Sequence, residues 1–193
     1  MVSAIVLAAG ESKRMGRFKQ LLTLGGKTFV ECCVDNLLAS KANEVIVVTG
    51  HRDSEVRAAL SGRQVRFVQN PDYRDGMASS VKAGVSALPE DATSCLIALV
   101  DQPEIGIDVF NLVIDTYSQE SPLIVLPAYR GRRGHPILLD LKLKDEILEM
   151  DPGLGLRQVL NAHQTQTRYV EVETESVLLD FDTPEDYQRA EAN

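Results

Sequence analysis

Five short, strongly apolar runs constrain this chain more than any other feature. They occupy residues 3–7, 45–50, 65–68, 95–100 and 123–127. The first is continuously apolar up to Ala8-Ala9-Gly10, and the fourth is the most apolar of the set. Continuous apolarity over so few residues predicts strands covered on both faces, as in a parallel sheet. The segments between the runs have a longer period. Phe29, Val30, Cys33, Val34, Leu37 and Leu38 recur at helical spacing, as do Val81, Val85 and Leu88 within 77–88. Further helices are expected at 53–60 and from Asp108 to about Tyr117. Such alternation predicts an α/β fold, a doubly wound and mostly parallel sheet with right-handed crossovers. Ligands of these sheets bind beyond the carboxyl ends of the strands. The loops after the first, third and fourth runs are therefore the places to look for function.

The last third is less regular. Residues 130–134 form a basic, glycine-rich turn, and His135 to Leu139 resumes as a short strand. Helices are expected around 141–149 and 154–162, then a half-exposed strand at 168–172. Thr183 as N-cap, Pro184 as first helical residue and Asp186 at N3 start a terminal helix. No repeat or linker interrupts the chain, so residues 1–193 are expected to form one domain.

The formal charge is −8 and tryptophan is absent. An acidic surface repels nucleic acid and anionic membranes, and there is no obvious platform for stacking single-stranded bases. No apolar stretch approaches the ~20 residues of a membrane span, and no signal peptide is evident. Cys32, Cys33 and Cys95 make an odd count without metal spacing. They are expected to be buried, reduced, structural thiols, which points to a cytoplasmic setting.

Four stations could carry chemistry. In the first, Ala8-Ala9-Gly10 lets a ligand approach the backbone, and Lys13, Arg14 and Lys19 follow. Small residues and backbone N–H groups suit an anion. Arg14 can grip phosphate in a bidentate way, while Lys19 is a movable point charge. Known phosphate loops do not fit. Gly26-Lys27-Thr28 ends like a P-loop, but Leu21 stands where the first glycine is required. Gly10-Glu11-Ser12 and Asp-Pro-Gly153-Leu154-Gly155 fail the dinucleotide fingerprint. The second station is Asp101, a hard carboxylate at the end of the most apolar run and suited to Mg²⁺. The third is Asp180-Phe-Asp182-Thr-Pro-Glu-Asp, the fourth Asp75-Gly76-Met77-Ala78-Ser79-Ser80. Each has a plain alternative: a basic surface loop, an Asx turn, a helix start, an N-cap. His135 in Arg133-Gly134-His135-Pro136 is either an acceptor contact or a turn residue.

Taken in order, the stations resemble a family. Leu7-Ala8-Ala9-Gly10-x3-Arg14-Met15-Gly16-x2-Lys19 is similar to the signature of sugar-nucleotide and molybdenum-cofactor nucleotidyltransferases. Asp75 to Ser80, Leu99-Val100-Asp101-Gln102-Pro103, Arg133 to Pro136 and Asp180 to Asp186 extend the match along the chain. Within that group it most resembles the molybdenum cofactor cytidylyltransferases. The resemblance implies a three-layer α/β/α domain with a mixed, Rossmann-like sheet. It implies transfer of CMP from CTP to molybdopterin-bound molybdenum, with pyrophosphate released, and a molybdoenzyme or its chaperone as recipient. It makes Arg14, Lys19 and Asp101 the catalytic set. Ala8, Ala9, Gly10 and Ser80 would meet the nucleotide, and Ala9 in place of a second glycine resembles the CTP-using branch. Mg²⁺ would sit on Asp101 and Asp182, although Asp180 stays open as the second carboxylate. Gly134 and His135 would face the pterin. The alternatives are a sugar- or polyol-phosphate acceptor, or a non-catalytic molybdenum-cofactor carrier.

Overall fold

A computed structural model describes residues 1–191. The elements run in chain order: β1 (Val2–Leu7), a small hairpin of β2 (Thr23–Leu24) and β3 (Lys27–Thr28), α1 (Phe29–Leu38), β4 (Glu44–Thr49), α2 (Asp53–Ala59), β5 (Arg66–Gln69), α3 (Met77–Ser86) and β6 (Ser94–Leu99). They continue with α4 (Ile107–Glu120), β7 (Ile124–Tyr129), β8 (Arg132–Arg133), β9 (Ile137–Asp140), α5 (Lys144–Glu149), α6 (Leu156–Ala162), β10 (Thr167–Glu171) and α7 (Pro184–Glu191). One sheet has the order β10-β7-β9-β6-β1-β4-β5, with β8 on β7. The expected strands and helices are present with boundaries shifted by a few residues.

The sheet is parallel except at β9, which runs antiparallel to both β6 and β7, and at β8, which runs antiparallel to β7. The reason is the short connection from β7 through β8. Too few residues separate β7 from β9 for a crossover, so the chain can only fold back beside itself. Register then builds the functional edge. Leu7 lies opposite Val48 on one side and Leu99 on the other, so β1, β4 and β6 end together. The residues just past those ends, 8–10, 50 and 100–101, are brought to one rim.

Side chains of β1 alternate between two cores. Val2, Ala4, Val6 and Ala8 join a cluster with Phe29 and Val34 of α1 and Val113 of α4. Ile5, Leu7 and Ala9 join the opposite cluster with Val81 and Val85 of α3 and Ile147 of α5. These are the two outer layers on either face of the sheet. α3 sits close to β1 because residue 84 is glycine: a Cβ there would lie 2.6 Å from Ile5 Cγ2.

The P-loop-like Gly26-Lys27-Thr28 has a structural purpose. Gly25 and Gly26 both have positive φ and make the two-residue turn between β2 and β3. Thr28 Oγ1 then accepts from Glu31 N at 3.3 Å, and Glu31 Oε2 accepts from Thr28 N at 2.8 Å. This capping box contributes roughly 1 kcal/mol to α1. Among the described residues, no helix is long and apolar enough to cross a membrane.

Candidate active site

The loop after β1 is held from inside. Gln20 is fully buried, on a single 3-10 turn at Lys19–Leu21. Its Nε2 donates to the carbonyls of Ala8 at 3.2 Å and Gly10 at 2.8 Å. Its Oε1 accepts from Ser12 Oγ at 3.0 Å, and Ser12 Oγ accepts from Lys19 N at 3.1 Å. One amide thus ties three points of the loop and aims Lys19.

Lys19 Nζ bridges two carboxylates. It donates to Asp101 Oδ2 at 2.5 Å and to Asp182 Oδ1 at 3.1 Å. Arg14 Nη2 lies 2.9 Å from the other Asp182 oxygen. The Lys19 and Asp101 side chains are 14% and 15% exposed, whereas Arg14 is 75% exposed and free to swing. Phe181 N donates to Asp101 O at 2.9 Å and stitches the C-terminal segment to the end of β6. The helix-start alternative for Asp182 does not hold. Thr183 and Asp186 cap α7 reciprocally, with Thr183 N to Asp186 Oδ2 at 2.9 Å. Asp182 is left for the cations. Asp180 faces Gln102 Nε2 at 2.8 Å instead. Its carboxyl is held above the ordinary value, first by burial and then by the charges of Asp101 and Asp182.

The donor set fits a divalent cation shared with phosphate. Asp101 Oδ1 is buried without a hydrogen-bond partner, while the other Asp101 oxygen and Asp182 already converge on one positive charge. Among the described residues no three His, Cys, Asp or Glu side chains are grouped to hold a metal unaided. Two carboxylates completed by phosphate and water oxygens are what Mg²⁺ typically accepts.

Beside this cluster lies a cavity of about 200 Å³. Ala9, Gly10, Tyr73, Gly76, Ser80 and Asp101 line it. Ser80 does not cap α3: the N-cap position is Gly76, which has no side chain to accept from the first turn. A second cavity of about 420 Å³ adjoins it through Met77 and Leu99, and includes Arg133, His135 and Arg157. Burial holds the His135 ring below the ordinary histidine range, against the pull of Asp101.

A profile of the MobA-like NTP transferase domain matches residues 4–167. The chain belongs to that family. The molybdenum cofactor cytidylyltransferase of Escherichia coli K12 is 30% identical over 187 residues, covering 96% of this chain and 93% of that one. The nicotine blue oxidoreductase of Paenarthrobacter nicotinovorans is 31% identical, covering 97% and 95%. The Rv0371c protein of Mycobacterium tuberculosis H37Rv superposes with a TM-score of 0.90 at 26% identity, covering 100% and 97%. It has also been crystallised in complex with manganese, where the TM-score is 0.84 at 25% identity and the coverage is 98% and 97%. The fold of this chain is accordingly the Rossmann-like one of the nucleotidyltransferases, and the chain is a MobA-like nucleotidyltransferase.

In this MobA-like transferase the expected site residues separate into two groups. Ala9, Gly10, Arg14, Lys19, Ser80, Asp101 and Asp182 come to one rim, with His135 in the adjoining cavity. Ala8 and Gly134 do not line either cavity. Ala8 is fully buried on the face that carries α1, and both its backbone groups are occupied, by Val48 O and Gln20 Nε2. Its side chain packs in the core beneath the rim. Gly134 is required for another reason. A Cβ there would lie 2.1 Å from Val177 O, to which His135 N donates at 3.0 Å. Its role is to let the 133–136 segment close on residue 177. Gln20, Ser12 and Asn70 escape sequence reasoning, because a polar residue in a loop has no periodic signal. A glutamine between Phe18 and Leu21-Leu22 is the one hint that Gln20 faces inward.

Proposed function

We propose that the chain transfers CMP from CTP to the molybdenum-molybdopterin cofactor and releases pyrophosphate. The observation that carries this reading is the convergence of Lys19 on Asp101 and Asp182 beside the Ala9–Gly10–Ser80 cavity. A terminal phosphate oxygen of the acceptor attacks the α-phosphorus of CTP, and the bond to the β-phosphate oxygen breaks. The acceptor phosphate is already anionic near pH 7, so catalysis needs alignment and charge neutralisation more than a strong base. Arg14 and Lys19 would leave Asp182 and Asp101 for the triphosphate. Those two carboxylates would then hold Mg²⁺, which would neutralise phosphate charge. The manganese complex of the mycobacterial neighbour is in keeping with a divalent cation in a protein of this fold. The second cavity, with Arg133, Arg157 and His135, would receive the acceptor.

Identity alone does not choose between a cytidylyltransferase and an oxidoreductase, since both relatives are matched equally well. The cation–carboxylate cluster favours phosphate chemistry. The test is pyrophosphate release from each of the four nucleoside triphosphates, with and without molybdopterin cofactor. CTP with the cofactor is expected to be the productive pair, and Asp101→Ala is expected to abolish turnover while the protein remains folded. Near-normal activity of that variant in Mg²⁺, or redox turnover without pyrophosphate release, would overturn the reading.

A further inference from the structure

We propose that Asn70 is a positioning residue for base recognition: it forces the Ser80 hydroxyl to act as a donor, so the base must present a hydrogen-bond acceptor there. This rests on the nucleotide-binding reading of the smaller cavity.

Asn70 follows β5 directly, and its N–H donates to Thr49 O at 2.8 Å, which extends the sheet by one bond. The residue is 2% exposed. Its side-chain orientation is determined by chemistry on both ends. Oδ1 accepts from Asp72 N at 3.0 Å, and a backbone N–H can only donate. The amide nitrogen must therefore face α3. There it lies 2.8 Å from Ser79 Oγ and 3.0 Å from Ser80 Oγ, one amide hydrogen for each. Both serine oxygens are acceptors in these bonds.

The two serines differ in where their own hydrogen goes. Ser79 Oγ donates to Asp72 O or Gly76 O, each at 2.8 Å. Ser80 has no such acceptor among the described hydrogen bonds. It is 5% exposed and lines the cavity with Ala9 and Gly10. A serine has one hydrogen to give, and helical serines commonly return it to a carbonyl one turn earlier. Ser80 does not, so its hydrogen is available to the cavity. With a carboxylate at position 70 the polarity would invert: Ser80 would donate backwards and offer only lone pairs to the ligand. Cytosine presents two adjacent ring-edge acceptors, O2 and N3, whereas uracil and guanine carry a donor at the corresponding ring nitrogen.

Asn70→Asp is nearly isosteric and keeps the bond from Asp72 N, so it tests donor polarity. CTP affinity is measured by calorimetry and kcat and KM by pyrophosphate release. The expected result is a roughly 10- to 100-fold rise in Kd and KM, the usual cost of confronting two acceptors in a buried site. kcat should change by less than about threefold, since the triphosphate grip is untouched. Ser80→Ala should show a similar loss, and the double variant should be no worse than Ser80→Ala alone, because Asn70 acts only through that hydroxyl. Asn70→Ala, which adds no charge, should show the same lack of additivity and serves if the aspartate variant does not fold. Additive losses, or unchanged CTP affinity in a folded Asn70→Asp, would overturn the proposal while leaving the nucleotidyltransferase reading intact. Failure of the unmodified protein to bind any nucleoside triphosphate would overturn both.

Discussion

Replacing Gln20 by leucine should loosen the loop after β1 without unfolding the protein. The side chain is similar in volume, so little cavity is created. Three hydrogen bonds are lost, and they are not equivalent. Ala8 is fully buried, so its carbonyl is left without a partner, at about 1–3 kcal/mol. Gly10 is exposed, so water replaces the second bond. Ser12 keeps the bond from Lys19 N. Those two changes add at most about 1 kcal/mol, so the expected total is about 1–4 kcal/mol. Against a stability of roughly 5–15 kcal/mol the variant stays folded. Urea unfolding should show a midpoint lowered by about 1 M with an unchanged slope. CTP affinity should fall about tenfold, because Gly10, Ser12 and Lys19 are no longer held in one arrangement. Gln20→Glu should fare no better, since a carboxylate would face two carbonyl oxygens. A midpoint shift below about 0.2 M together with unchanged CTP affinity would refute the account of the loop given above.

Other perturbations test other parts of the fold. Gly134→Ala should destabilise by about 3 kcal/mol, the upper end for overpacking, since its Cβ would meet Val177 O; a loss below ~0.5 kcal/mol in denaturant unfolding would contradict that geometry. His163 is held above the ordinary histidine range by its hydrogen bond to Glu146, at 2.8 Å. The raised value means its stabilisation is present below the unfolded pKa of about 6.5 and fades as pH rises through the folded one. His163→Gln should therefore cost a few tenths of a kcal/mol at pH 5.5–6 and nothing at pH 8.5; equal losses at both would contradict the pairing. Cys33 and Cys95 are buried and their thiols pushed up by burial, that of Cys95 to about 12. A thiol reagent at pH 8 should reach Cys32 at most in the native protein and all three after unfolding.

Much of the layout was legible in residue order. Buried strands announce themselves by composition, because a residue covered on both faces meets no water. Asp101 was legible because a carboxylate ending the most apolar run has nowhere to be except the rim. Lys19 was legible as a cation close behind a glycine turn. The antiparallel β9 was not, since a short apolar segment has no sign of its direction. Gln20 and Asn70 were not, because their importance lies in which atoms they meet rather than in their spacing.

The contrast is sharpest at Ala8 and Ala9. Strict alternation along β1 places them on opposite faces, and that follows from the strand period alone. Which of the two lines the cavity beside Ser80 depends on which face α3 covers, and that is decided by how remote segments pack. Lys19 and Asp182 are 163 residues apart in the chain and 3.1 Å apart in space. Local periodicity reports how each segment meets water. It does not report which distant segment shares its neighbourhood, so the strands and the rim carboxylate belong to the sequence, and their assembly around one ammonium belongs to the tertiary structure.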